Sequence, residues 1–189
     1  MTQRTNTMAA LTVAGLLAVL APAFAAQTET KGALSQQDQK FAMDAAAGGM
    51  MEVEGGRLAS QKGASQAVKD FGQRMVTDHS KANQQLMQVA SEKGLTLSKE
   101  LPAEHKQHLD KLSKASGAEF DRMYMSHMVK DHEKDVKEFE KQAQKGTDPA
   151  LRAFAEQTLP TLRQHLEIAR TVASQVGADH GSHGSHSGH

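Results

Sequence analysis

The chain has 189 residues, room for one domain of moderate size with appendages. Lysine plus arginine and aspartate plus glutamate both number 22, so there is no strong charge field and nucleic acid is not an expected partner. Cysteine is absent, which excludes disulfides, thiolate metal ligands and attachment through a lipidated cysteine.

The chain opens on a processing signal. Arg4 gives a positive start, Met8 to Leu20 is apolar, and Ala23-Phe24-Ala25 has the small-x-small form of a cleavage site. Residues 1–25 therefore read as a signal peptide, and the mature chain as exported, to the periplasm or outside the cell. The apolar run is too short and wrongly flanked for a membrane span. Its removal takes Arg4 and leaves a net charge of about −1. Nothing after the leader resembles a transmembrane segment, and no alternating strands point to an outer-membrane barrel.

A polar lead-in, 26–34, precedes four long predicted helices. Ser35-Gln36-Gln37-Asp38 reads as a capping box for the first, which Lys62-Gly63 closes. Ser65 can cap the second, which ends at Lys93-Gly94. Leu95 to Ala115 is a longer connection, with a short extra helix predicted over Pro102 to Lys114. Ser116-Gly117-Ala118-Glu119 opens the third long helix and Lys145-Gly146 closes it. Asp148-Pro149 is an N-cap followed by proline at the first helical position, and the fourth helix runs to about Gly177. Lysine before glycine at three of these ends suits the negative end of the helix dipole.

Short connections at Gly63-Ala64 and Gly146-Thr147 each imply an antiparallel hairpin. The expected fold over 35–177 is all-α: a ferritin-like four-helix bundle of two antiparallel hairpins joined by a long crossover containing the short extra helix. The alternative is a single long helix kinked at Gly117. Residues 178–189 form a separate tail in which His180, His183, His186 and His189 are spaced by Gly and Ser. With no apolar residue to bury after Ala178, it is expected to be disordered and to wrap around Ni, Zn or Cu(II).

Met-Val-x-Asp-His-x-Lys occurs twice, at Met75–Lys81 and Met128–Lys134. At about 100° per residue, His79 falls inside the stripe of Val68, Phe71, Met75, Leu86 and Val89. His132 lies within the stripe of Met125, Met128, Val136 and Phe139. His165 borders that of Leu159, Leu162, Leu166 and Ala169 on the fourth helix. Asp78 and Asp131 are at stripe edges. Adjacent residues on a helix do not face each other, so a carboxylate from a neighbouring helix, rather than Asp78, should orient His79.

Folding back at Thr147 puts His132 opposite Leu162, one turn from His165. Folding back at Gly63 puts His79 opposite Ala47, where Gly48-Gly49 leaves room for a ring or an ion. Glu54, on the inward edge of the first helix, completes the candidate ligand set of His79, His132, His165 and Glu54. Imidazole suits Cu, Zn and Fe, and thioethers such as Met50, Met51, Met75 and Met128 favour Cu(I). The competing reading is a hydrogen-bonded polar layer with no metal. His127 points to the opposite side, solvated or against the extra helix, and His105 and His108 read as an exposed incidental pair.

Four separated segments carry a family resemblance: Glu52 to Ala59, Val68 to His79, Tyr124 to His132 and Leu159 to Leu166. Over about Gln36 to Val176 the chain resembles a bacterial exported family, a domain of unknown function with a ferritin-like fold, often labelled as outer membrane proteins. The resemblance implies a helical bundle and export, and supplies no activity.

Di-iron members of the wider ferritin-like group need Glu-x-x-His on two helices. Here Val76, Val129 and Leu162 stand three residues before His79, His132 and His165, so ferroxidase chemistry is not expected. The sequence reads as a periplasmic metal-binding or metal/envelope-stress protein, with no catalytic residues assigned. The alternatives are a metal-dependent redox enzyme with Asp78, Asp131 and Glu54 turned inward, or a metal-free partner-binding bundle.

Overall fold

The computed structural model describes residues 33–178; the signal-peptide reading, most of the lead-in and the four tail histidines lie outside the described residues. Five helices follow in order: α1 (Gln36–Lys62), α2 (Gln66–Glu92), α3 (Ala103–Lys114), α4 (Gly117–Lys145) and α5 (Pro149–Gln175). α1 pairs with α2 and α4 with α5 as hairpins, α2 meets α5 and α1 meets α4, and α3 lies against α1 and α4. Ala115 and Ser116 are extended and Gly117 has φ +59, so the chain leaves helical geometry before α4 begins and the single kinked helix does not form.

Local capping explains two starts. Ser35 Oγ accepts from the Asp38 N–H at 3.1 Å, and Asp148 accepts from the Ala150 and Leu151 N–H groups, with Pro149 at the first helical position. Ser65 stands at the α2 N-cap, but its hydroxyl makes no cap bond. A distant residue serves that turn instead: buried Asp121 of α4 accepts from the Ala64 and Ser65 N–H groups at 2.9 and 2.8 Å.

Asp38 of α1 does the same for the other hairpin. It accepts from Gln142 Nε2, from the Thr147 N–H and hydroxyl, and from the Asp148 N–H. Each hairpin thus carries, near the start of its first helix, an aspartate that clamps the turn of the other. Burial pushes the Asp38 carboxyl up, but the hydrogen bonds from Thr147, Gln142, Ser35 and Asp148 outweigh it and hold the group below its usual range.

The hairpin α1–α2 closes tightly where two glycines meet. A Cβ on Gly72 would lie 2.7 Å from the Gly56 carbonyl oxygen and 2.8 Å from Ala59 Cβ, so the backbones touch there only without side chains. Pro160 sits inside α5 on its exposed face, where the carbonyl it leaves unpaired can turn to water. No helix among the described residues is long and apolar enough to cross a membrane.

The interior divides into two apolar clusters. One holds Phe71, Met75, Tyr124, Met125, Met128, Leu166 and Ala169; the other holds Phe41, Leu86, Phe139, Leu151, Phe154 and Leu162. Burying one ring such as Phe71 stabilises the bundle by about 2–3 kcal/mol. On α2, α4 and α5 the boundary between clusters falls between Met75 and Leu86, between Val129 and Phe139, and between Leu162 and Leu166. Those gaps contain His79, His132 and His165.

Candidate metal centre

The three histidines are buried, and their ring centroids lie 5.2–5.6 Å from one another. One ligand nitrogen from each falls within 4.8 Å of the other two, a group able to hold a metal ion. Beneath them the Phe71 ring lies edge-on to His132 and His165, excluding water from that side.

Hydrogen bonding sets the tautomers of two rings. His132 Nδ1 lies 2.9 Å from the Met128 carbonyl oxygen, an acceptor only, so Nδ1 donates and Nε2 keeps its lone pair. His165 Nε2 lies 2.8 Å from Asp78 Oδ2, which an ionised carboxylate can only accept, leaving the lone pair on Nδ1. Those two bare nitrogens, His132 Nε2 and His165 Nδ1, face each other at 3.4 Å. Two nitrogens bound to one tetrahedral ion at about 2.05 Å would be roughly 3.3 Å apart.

The carboxylate comes from α1 and is Glu52. Its Oε2 lies 2.7 Å from His79 Nδ1 and its Oε1 lies 3.4 Å from His132 Nε2. Neither contact has hydrogen-bond alignment, and both oxygens, His79 Nε2 and the Tyr124 hydroxyl are buried without a hydrogen-bond partner. Orphaned polar atoms at this depth carry a desolvation penalty of several kcal/mol between them, on the order of 1–3 kcal/mol each, which a cation bound among them would offset.

Electrostatics leave the three imidazoles ready to bind metal. Burial lowers His79 to about 4 and His165 to about 4, the latter against the opposing Asp78 hydrogen bond. Burial, with the other two rings, lowers His132 to about 3. All three are therefore neutral near pH 7, the form that binds metal. Burial, then Asp131, pushes Glu52 well above the usual carboxylate range, which favours its protonated form, so a bound cation would displace that proton. A surface groove of about 280 Å³, lined by Asp78, Lys81, Gln85, Gln157 and Thr161 among others, reaches the Asp78 side of the cluster.

Several expectations are corrected by the geometry. Glu54 is exposed and pairs with Arg57 at 3.6 Å, because two residues along α1 turn it to the outer side; Glu52 takes the inward place. Ala47 is not opposite His79. Gly48 has open space around it and Gly49 faces Asn83, so neither makes room for an ion. As expected, Asp78 does not orient His79, which has Glu52 of α1 beside it; Asp78 instead orients His165 on α5. Met51, Met75 and Met128 are packed in the apolar cluster, while Met50 lines a surface groove with Glu54. His105 and His108 are half-buried rather than exposed, and His108 stacks on His127 with centroids 3.8 Å apart.

The fold and site define a helical bundle with a histidine–carboxylate layer between two apolar halves of its core. The chain belongs to the domain-of-unknown-function family DUF4142, whose model matches residues 23–172. No curated protein matches it significantly. Similar solved structures include a DUF305 fragment from Deinococcus radiodurans, 14% identical with a TM-score of 0.64, covering 77% of this chain and 99% of that one. Another is a DUF305 protein from Streptomyces coelicolor described as secreted, 14% identical with a TM-score of 0.66, covering 78% and 96%. At that identity the likeness shows a shared fold.

Proposed function

We propose that the protein is an exported metal-binding bundle in which His79, His132, His165 and Glu52 hold one transition-metal ion. The observation that carries this reading is the pair of bare, buried nitrogens at 3.4 Å beside a carboxylate with no hydrogen-bond partner. A purely structural polar layer would join donors to acceptors; here two imidazole acceptors face each other. Three imidazoles and a carboxylate suit Zn(II), Fe(II) or Cu(II) better than Cu(I), which prefers thioethers. The predicted leader and the secreted description of the S. coelicolor neighbour support export. In this reading the tail histidines His180, His183, His186 and His189 add a weaker, exchangeable site.

Elemental analysis of mature protein truncated after Ala178 tests the core site alone. After exposure to micromolar Zn(II) it should retain one equivalent, which a His79→Ala, His132→Ala double variant loses. Uptake of no Zn, Cu or Fe by the truncated protein would leave only the metal-free polar layer.

A further inference from the structure

We propose a second cation subsite beside the histidines, formed by Glu52, Asp131 and Asp135, for an oxygen-preferring divalent cation such as Mn²⁺, with Glu52 bridging the two ions. It rests on the histidine centre proposed above. Asp131 and Asp135 are one turn apart on α4, and Glu52 reaches them from α1. One oxygen from each lies within 4.8 Å of the other two. Three carboxylates this close repel, and partial burial strengthens the repulsion.

The usual remedy is a lysine or arginine, and among the described residues none forms an ion pair with any of the three. Lys134, which faces both Asp131 and Asp135, lies 3.8 Å from Glu138 instead. The groups facing Asp131 are otherwise imidazoles: His127 Nε2 at 3.9 Å, with His79, His105 and His108 around it. Asp135 faces Glu138 as well as its two partners.

A separate observation points to a ligand. Glu52 is 1% exposed, both its oxygens lack a hydrogen-bond partner, and the carboxylate belongs to the histidine group and to the acidic group at once. A bridging carboxylate between two ions satisfies both oxygens. The donors also separate by chemistry, with nitrogen on one side of Glu52 and oxygen on the other. All-carboxylate donors select hard cations of the Mg²⁺ and Mn²⁺ type, whereas the imidazoles select the transition metal.

The test uses the full mature chain with the four tail histidines replaced by serine, loaded with one equivalent of Zn²⁺ and titrated with Mn²⁺. Free Mn²⁺ is followed by its six-line electron paramagnetic resonance signal. The zinc-loaded protein should take up one Mn²⁺ while keeping its zinc. An Asp131→Asn, Asp135→Asn variant, its zinc content and helicity unchanged, should bind Mn²⁺ at least about tenfold more weakly. Mn²⁺ that stays free beside zinc-loaded protein overturns the subsite, as does equal Mn²⁺ affinity in the variant; in that case the carboxylates are held by shared protons. Protein that retains no zinc contradicts the histidine centre itself, so the two failures are distinguishable.

Discussion

His132 Nε2 and His165 Nδ1 face each other at 3.4 Å, each with its partner nitrogen committed to an acceptor, Met128 carbonyl for one and Asp78 for the other. A proton between them would satisfy the pair, but burial lowers both rings to about 3 and about 4. Near neutral pH the position suits a metal ion rather than a proton.

His132→Leu removes one of these nitrogens at nearly constant volume. In metal-free protein at pH 7 the variant should match or exceed the wild type in denaturant stability, since an apolar side chain replaces a poorly satisfied polar one. The rise in thermal midpoint on adding Zn(II), expected for the wild type through binding to the folded state alone, should disappear. A large loss of metal-free stability would show that His132 is chiefly structural.

Acidification separates the same two proteins. The folded pKa of His132 lies below its ordinary 6.5, so on lowering the pH the unfolded chain takes up the proton first. Its contribution is complete above about pH 6.5 and is lost as the pH falls toward the folded value. Glu52 acts in the opposite sense: its raised pKa means a contribution present below about 4.5 and lost as the pH rises through the folded value. Comparing wild type with His132→Leu leaves mainly the histidine effect. Between pH 7 and pH 4.5, metal-free wild type should lose on the order of 2 kcal/mol relative to the variant in urea titrations. A constant difference would mean that the ring is already charged or solvated.

Asp78 sets the His165 tautomer from the groove side, and its side chain is 33% exposed. Asp78→Ala should weaken Zn(II) binding by about 10–100-fold, as loss of an orienting partner commonly does, while changing metal-free stability by no more than about 1 kcal/mol. Asp78→Asn keeps an oxygen that can accept from Nε2 and should recover part of the affinity. Calorimetric titration of the three proteins decides it; equal affinities would remove Asp78 from the site.

The histidines were legible in the sequence because α2, α4 and α5 have strong apolar stripes, and phase alone turns His79, His132 and His165 inward. Helix ends were legible where the cap is local, as at Ser35 and Asp148. The α2 start at Ser65 was legible too, but its side-chain partner was not, because the turn N–H groups are held by Asp121, 56 residues from Ser65. Glu52 was missed for two physical reasons. α1 carries Ala45, Ala46, Ala47, Gly48, Gly49, Gly55 and Gly56 around several faces, so its buried stripe has little contrast. The hairpin also folds back nearer Ser65 than Gly63: Gly49 meets Asn83, Glu52 meets His79 and Gly56 meets Gly72. The α4–α5 hairpin is displaced in the same sense, which puts His165 rather than Leu162 beside His132.

Two glycines of α1 and α2 should respond oppositely to alanine. Gly72→Ala drives a Cβ against the Gly56 carbonyl and Ala59 and should destabilise the protein by roughly 1–3 kcal/mol. Gly48→Ala meets nothing within 4 Å and should stabilise α1 by about 0.5–1 kcal/mol. Thermal midpoints of the two variants check the α1–α2 contact that sets Glu52 against His79.

Zinc X-ray absorption on mature protein truncated after Ala178 tests the metal centre most directly. The account predicts a light-atom shell of nitrogen and oxygen at about 2.0–2.1 Å, with the outer scattering of three imidazoles and no sulfur. The imidazole scattering should diminish in His165→Ala. A sulfur shell from methionine, fewer than three imidazoles, or failure of the truncated protein to hold zinc would contradict it.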